Sequence, residues 1–196
     1  MKKLLLKEEL FMNEYQILLE VVKQTFGNVV WTHKIQEKQA DIYNERYEFI
    51  ETINIVIVSV TACGIISLVF TDQLWVKIGA SLLSFITITI SVYSKTFNLN
   101  NLSMQHKIAA NKLIPIRDEL LQIIADIHIH NKSVDCIHEH YQDIMDKLNK
   151  IYSEMPTTTD GAVKRANNAL KINAEFTYSA EEIDSFLPPA LKGNIK

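Results

Sequence analysis

Glycine and proline are scarce in this chain, with 5 glycines and 4 prolines among 196 residues. Both residue types end or kink helices and form most tight turns, so their scarcity predicts long helices with few interruptions. The sequence also lacks the alternation of apolar and polar residues that is typical of β-strands. The predicted fold class is therefore all-α.

Cysteine is scarcer still, with 2 residues in the chain. Cys63 lies within an apolar run and Cys136 in a polar segment, so nothing in the sequence brings the two thiols together. This pattern excludes a framework of disulfide bonds.

No charge of one sign dominates, because 20 basic residues stand against 23 acidic residues. A nucleic-acid-binding domain carries a basic surface, so the chain is not expected to bind nucleic acid directly. The sequence also has no glycine-rich phosphate loop, no nucleophile motif and no carboxylate pair in an acid–base context. We therefore expect no enzyme activity, no catalytic residues and no cofactor.

Two long apolar runs are the main positive feature. Residues 52–70 contain no charged side chain, and residues 74–94 contain only Lys77, which is near enough to the end to reach the lipid headgroups. The two runs contain 19 and 21 residues, close to the length of about 20 residues that crosses a hydrocarbon core. Only residues 71–73 separate them, which predicts a transmembrane hairpin with both termini on one side. The chain has too few other apolar residues to enclose both helices in a soluble core.

Basic residues predict the orientation of this hairpin. The hairpin itself contains one lysine, whereas its flanks contain several basic residues: Lys34, Lys38, Arg46, Lys95, Lys107, Lys112 and Arg117. Basic flanks stay in the cytoplasm, so both termini are predicted to be cytoplasmic.

Helices are predicted before the first span as well. Residues 1–28 have the spacing of an amphipathic helix that stops at Gly27 and Asn28, and its glutamates favour packing on protein over binding to a membrane surface. Residues 34–51 contain good helix formers and no breaker, so this helix is predicted to run on into the first span.

Two further helices are predicted after the second span, at residues 96–130 and 133–155. Pro115 should kink or restart the first of them, and Ser133 is a suitable N-cap for the second. Together with the preceding helix they predict a cytosolic stalk or bundle. Near the end, Ser179 and Glu182 have the spacing of a capping box.

The helix at residues 133–155 carries a coiled-coil seam, with apolar residues at alternating steps of three and four: Val134, Ile137, Tyr141, Ile144, Leu148 and Ile151. A matching row could come from the same chain or from another copy of it. In the same chain, the candidates are Ile116, Leu120, Ile123, Ile124 and Ile127.

The second span carries hydroxyl groups along one helical face, at Ser84, Thr87, Ser91 and Ser94. We interpret this hydroxyl stripe in two ways, as the lining of a pore or as a surface for close helix packing. The first span has a row of small residues four apart, Ser59, Cys63 and Ser67, which is assigned to helix packing.

Four histidines suggest the hypothesis of a metal site, but their spacing argues against it. His128, His130, His138 and His140 form pairs two residues apart, which point to different sides of a helix. Solvent-facing histidines are the favoured interpretation, and no metal is expected. His33 and His106 flank the hairpin, where they could meet in the stalk or lie at ordinary interface positions.

Several segments together resemble the SLATT family, the two-transmembrane effector domains associated with bacterial nucleotide-signalling defence systems. Residues 30–43, VWTHKIQEKQADIY, precede the two spans, and residues 106–120, HKIAANKLIPIRDEL, follow them. Residues 133–166, SVDCIHEHYQDIMDKLNKIYSEMPTTTDGAVKRA, complete the match. The resemblance is drawn over residues 29–174, leaving residues 1–28 as an N-terminal helix and residues 175–196 as a tail.

The resemblance implies a pore-forming effector in the bacterial cytoplasmic membrane, part of an anti-phage system that acts by abortive infection. A partner or nucleotide signal would trigger it, and a nucleotide-signalling enzyme or reverse transcriptase encoded nearby is the implied partner. Two helices enclose no lumen, so a pore implies a homo-oligomer in the lipid bilayer. The alternative is a membrane-anchored scaffold or sensor that does not conduct ions and serves a cytosolic partner enzyme.

Overall fold

The structure is a computed structural model that describes residues 2–67, 73–130, 132–176 and 178–186. Side chains are described from residue 14 onward, apart from those at positions 67, 180 and 184. The described residues form helices and no strand, which confirms the all-α prediction. Positions 71 and 72 of the predicted hairpin turn lie outside the described residues. The helices are α1 (Lys2–Ser67), α2 (Leu74–Phe97), α3 (Leu99–Ile129), α4 (Val134–Glu154), α5 (Asp160–Asn167), a π-helical turn (Asn168–Ile172) and α6 (Ala180–Phe186).

Helix α1 joins the stalk to the first span without a break, as predicted for residues 34–51. At a rise of about 1.5 Å per residue, its 66 residues extend about 99 Å.

Two helices contain stretches long and apolar enough to cross a membrane, one in α1 and one in α2 with its continuation. Only 6% of each stretch is buried within the protein, which a core helix of a soluble protein would not show.

The predicted helix stop at Gly27 and Asn28 is wrong, because α1 continues through both residues. A glycine in a helix interior costs about 1 kcal/mol relative to alanine. Val22 and Val29 lie on either side of it and are fully buried. Burying each valine contributes about 1.5 to 3 kcal/mol, which outweighs the cost of the glycine.

The interruption after the second span occurs at Asn98 rather than at Pro115. Asn98 has φ 41° and ψ 53°, a left-handed conformation that asparagine tolerates better than most residues. Its backbone N–H donates to Ser94 O at 3.1 Å, and its side chain accepts from Asn101 N, so one residue caps α2 and α3. Pro115 lies inside α3 and does not end it, since Leu113 and Ile116 anchor the helix in the core.

The stalk is a bundle of α1, α3 and α4 around one hydrophobic core. Tyr15 and Thr25 of α1 add polar contacts at its surface: Tyr15 Oη donates to Lys132 O at 2.7 Å, and Thr25 Oγ1 lies 2.8 Å from Tyr141 Oη. The core residues are Tyr15, Leu18, Val22, Val29, Leu113, Ile116, Leu120, Ile123, Ile127, Ile137, Tyr141, Ile144 and Leu148.

Helix caps follow the sequence rules closely. Ser133 Oγ accepts from Cys136 N at 3.4 Å at the start of α4. At α6, Ser179 Oγ accepts from Glu182 N at 3.2 Å, and the Glu182 carboxylate accepts from Ser179 N at 2.8 Å. The predicted N-cap and capping box are both confirmed.

Replacing Gly27 with alanine should raise the free energy of unfolding by about 1 kcal/mol, because a new Cβ would meet no atom within 4 Å and alanine favours helix. Thermal unfolding of the detergent-solubilised protein, followed by circular dichroism, measures the change. Gly161→Ala is the control: its Cβ would meet Thr159 Oγ1 at 3.6 Å, an ordinary contact, near a helix start. A destabilised Gly27→Ala variant would mean that α1 ends at this glycine.

Candidate functional site in the membrane hairpin

The two spans pack through a narrow face of small and polar residues. Ala80 of α2 and Thr61 of α1 are buried, each with 8% of its surface exposed, while Asn54 and Ile57 are half-buried. Thr61 Oγ1 donates to Ile57 O at 2.8 Å, so its hydroxyl is satisfied within its own helix. Small side chains let the two helices approach closely in lipid, where apolar residues give no preference for a neighbour over an acyl chain.

The outer faces of the hairpin are apolar and end in aromatic residues. Trp75 is 82% exposed at one end of α2, and Tyr93 packs on Phe97 at the other end with ring centroids 4.5 Å apart. Aromatic side chains are enriched at both membrane–water interfaces. The 18 helical steps from Trp75 to Tyr93 span about 27 Å, close to the thickness of a hydrocarbon core of about 30 Å.

The hydroxyl stripe lies along one edge of the contact between the spans. Ser84, Thr87 and Ser94 are half-buried, whereas Ser91 is exposed. Ser84 Oγ donates to Ala80 O at 2.8 Å and Thr87 Oγ1 to Leu83 O at 2.9 Å. These hydroxyls are satisfied inside α2, so they can border either a helix contact or water.

The stalk end of the stripe carries a carboxylate. Ser94 Oγ donates to Glu51 Oε1 at 3.0 Å and so links α2 to the last acidic residue before the first span. Three residues on, the Asn54 side-chain oxygen is buried without a hydrogen-bond partner. Sequence spacing within α2 could not reveal this cluster, because it depends on the register between the spans.

A shallow groove of about 460 Å³ opens beside the stripe. Ser84 and Ala80 border it on α2 and Ile65 on α1, and Lys77 lies at its outer end. These residues place the groove in the half of the hairpin that is farther from the stalk.

The row of small residues in the first span does not pack α1 against α2. Ser59 and Cys63 are exposed, on the side of α1 opposite Ile57 and Thr61, and the Ser67 side chain lies outside the described part of the chain. Ser59 and Cys63 therefore do not pack against α2 of the same chain, and their assignment to helix packing stays a prediction. The register of the hairpin turns Ile57 and Thr61 inward instead.

The seam of α4 lies against the stalk core of the same chain. Ile137, Tyr141, Ile144 and Leu148 are buried, and Val134 and Ile151 pack against the cluster at its margins. The facing row is the one named from the sequence: Ile116, Leu120, Ile123 and Ile127 are buried and Ile124 is partly buried. In this structure the row that faces the seam therefore comes from the same chain and not from another copy.

A layer of buried polar side chains separates the hydrophobic stalk core from the hairpin. His106 Nδ1 lies 2.6 Å from Gln36 Oε1, and Gln36 Nε2 donates to Pro156 O at 3.1 Å. Ser103 Oγ donates to Ala40 O at 2.9 Å. The His106 ring also stacks on Tyr43. We call His106, Gln36, Ser103 and Gln39 the polar layer.

Gln39 completes this layer by binding the segment between α4 and α5. Its Oε1 accepts from Thr159 N and from Thr159 Oγ1, both at 2.8 Å. Sequence reasoning missed the layer, although Gln36 and Gln39 at helical spacing on the buried face of α1 were a usable signal. The histidines that flank the hairpin have separate partners, since His33 packs on Phe176.

Among the described residues, no group of three or more histidine, cysteine, aspartate or glutamate side chains could hold a metal ion. His128, His130 and His138 are exposed, and His140 lies 4.0 Å from the Glu119 carboxylate.

A family model matches this chain over residues 18–182: the SMODS and SLOG-associating 2TM effector domains, family 4. The chain belongs to this SLATT family. No curated protein and no solved structure matches it. The match therefore includes part of the N-terminal segment 1–28 and part of the tail 175–196, which both lie outside the resemblance drawn from the sequence. As a SLATT domain, the chain is a membrane effector domain linked to SMODS and SLOG defence systems, and its family is not a known enzyme family.

Burial lowers the pKa of His106 below its ordinary value of 6.5. Unfolded SLATT chains thus bind a proton at His106 at a higher pH than folded ones, so the free energy of unfolding should fall as pH drops below 6.5. His106→Asn keeps a donor for Gln36 but cannot titrate, so its stability should fall less. Thermal unfolding between pH 8 and pH 5 measures this difference.

The exposed His138 provides the control for this experiment, because His138→Asn should retain the pH dependence of the wild type. Some dependence should persist in His106→Asn, since burial also lowers the pKa of His33. If the free energy of unfolding falls equally with pH in wild type and in His106→Asn, burial in the polar layer does not lower the pKa of His106.

Proposed function

We propose that several copies of this SLATT domain assemble in the bacterial cytoplasmic membrane and form a pore that depolarises or permeabilises the host cell. The observation that carries the proposal is the hydroxyl stripe, in which Ser91 is exposed between the half-buried Thr87 and Ser94. An exposed hydroxyl within a span gains little from lipid, so a polar path between copies suits it better.

The groove beside the stripe supports an arrangement with copies around an axis. Its walls at Ser84, Ala80 and Ile65 offer a surface into which a neighbouring hairpin could fit. The exposed row of Ser59 and Cys63 provides a second small-residue surface, on the other side of the hairpin. Two different surfaces on one hairpin suit a ring of copies, in which each subunit uses one surface toward each neighbour.

In this proposal the stalk receives the activating signal. All described stalk helices lie at the same end of the two spans, and the basic flanking residues favour the cytoplasm for that end. A nucleotide signal or a partner enzyme encoded nearby, such as a nucleotide-signalling enzyme or a reverse transcriptase, would then act there. Opening of the pore during phage infection would arrest or kill the cell.

A scaffold that anchors a cytosolic enzyme without conducting ions is the alternative. The intrahelical hydrogen bonds of Ser84 and Thr87 favour it, because a satisfied hydroxyl can be buried between helices without a pore.

Replacing Ser84, Thr87 and Ser91 together with leucine should abolish depolarisation and toxicity, because leucine makes the stripe apolar and a narrow apolar path excludes water. Membrane potential and dye uptake are measured in bacteria that express the protein with its neighbouring genes under phage challenge. Insertion should be unchanged or improved, as membrane fractionation can show.

Single substitutions separate the two sides of α2. Ser91→Leu is compared with Thr89→Leu, since both residues are exposed and lie two positions apart on opposite faces. Ser91→Leu should reduce depolarisation at least tenfold, and Thr89→Leu should leave it unchanged. Depolarisation that survives the triple substitution contradicts the proposed lining. A membrane that stays polarised in wild-type cells supports the scaffold.

Cysteine cross-linking tests the assembly of copies. A Ser59→Cys, Ser84→Cys double variant in which Cys63 and Cys136 are alanine should form disulfide-linked oligomers in oxidised membranes, because the row of one copy would meet the groove of the next. Thr61→Cys, at a buried position within the hairpin, is the control and should remain monomeric. Gel electrophoresis without reductant detects the product, and monomer alone for both variants would contradict this interface.

A further inference from the structure

A short segment after the π-helical turn is held in an unusual backbone conformation. Ala174 has φ 51° and Phe176 has φ 75°, although neither is glycine. Side chains with a Cβ rarely adopt these angles, so the surrounding contacts must hold the segment in place. Such outliers gather at ligand clamps and switches.

The Glu175 carboxylate is the first of these contacts. Its Oε2 lies 3.0 Å from Lys34 Nζ and 3.8 Å from Lys38 Nζ. Only 3% of Lys34 is exposed, and its ammonium also binds the Glu37 carboxylate at 2.6 Å. Burial opposes this charge, but the two carboxylates outweigh it and raise the pKa of Lys34.

The Phe176 ring is the second contact. Lys34 Nζ lies 3.9 Å from the ring centroid, and the Arg117 guanidinium carbon of α3 lies 6.0 Å from it. The His33 ring packs at 5.7 Å on the same phenyl group. His33 is 7% exposed, and its Nδ1 is buried without a hydrogen-bond partner. Nitrogen-bearing groups of α1 and α3 thus contact the phenyl ring, and 42% of the Phe176 surface stays exposed.

A cavity of about 420 Å³ continues from the ring, within the size range of small-molecule sites. Phe26, Val30 and Leu121 give it apolar walls. Arg117 and Phe176 lie at its edge, where Asp118 accepts hydrogen bonds from Arg117 at 2.9 and 3.0 Å.

We infer that Glu175 and Phe176 are the internal occupant of a binding pocket in the stalk for a small organic anion that carries an aromatic ring. The carboxylate meets lysines and the ring meets cationic and aromatic groups, which is the chemistry such a ligand would need. A soluble ligand of this class competes with the segment and releases it. The inference is independent of the pore, because binding occurs in the stalk and needs no conduction.

Isothermal titration calorimetry of the full-length protein in detergent tests this pocket. Indole-3-acetate and AMP each carry a ring and an anion, whereas acetate, inorganic phosphate and indole lack one of the two. At least one of the first pair should bind, and Glu175→Gln should raise its affinity at least tenfold, because the internal competitor is weakened.

Three further variants define the site. Ile172→Ala, at a position 71% exposed, is the control and should leave affinity unchanged. Lys34→Met and Arg117→Gln should each weaken binding at least tenfold in the Glu175→Gln background. Because Lys34→Met leaves Glu37 without its partner, Arg117→Gln at a half-buried position keeps the test valid if the first variant does not fold.

Hydrogen exchange reports release of the segment directly. Amides of the described residues 173–176 should exchange faster in Glu175→Gln and in wild type saturated with the probe. The inference is overturned if neither ring-bearing anion binds wild type or Glu175→Gln, if Glu175→Gln leaves affinity unchanged, or if acetate or indole alone binds as tightly.

Discussion

The packing of α3 along α1 is the contact on which the rest of the described structure depends. Helix α1 meets the α3–α4 core low in the stalk, contributes to the polar layer above it, and packs on α2 in the membrane. Burial of apolar side chains dominates in the stalk, where the solvent is water. In the bilayer this driving force is absent, and close fit between small residues such as Ala80 and Thr61 takes its place.

Local rules recovered much of this fold from the sequence. The spans followed from two long apolar runs, the α4 seam from spacing, and the caps at Ser133 and Ser179 from side chains that bind nearby backbone groups. Gly27 shows where such rules fail, because its stop signal is local whereas the valines that override it are buried by a helix far along the chain. Asn98 carried no distinguishing signal, since asparagines also occupy positions 100 and 101.

The candidate site was predictable only within one helix. Spacing placed Ser84, Thr87, Ser91 and Ser94 on one face, but it could not show which part of that face α1 covers. The hydrogen bond from Ser94 to Glu51 and the outward turn of Ser59 both depend on the register between two helices. That register is set by packing across the hairpin, which no periodicity within a single segment encodes.

The unbroken α1 and the interrupted α2–α3 connection give the two spans different mechanical relations to the stalk. Each residue of α1 between the polar layer and the membrane adds about 100° of rotation and about 1.5 Å of rise, so the azimuth of the first span is locked to that of the bundle. At Asn98 the regular helix is interrupted, and a twist of α2 can be absorbed there. A rotation of the stalk bundle would therefore be transmitted into the membrane by α1, whereas α2 would not have to rotate with it.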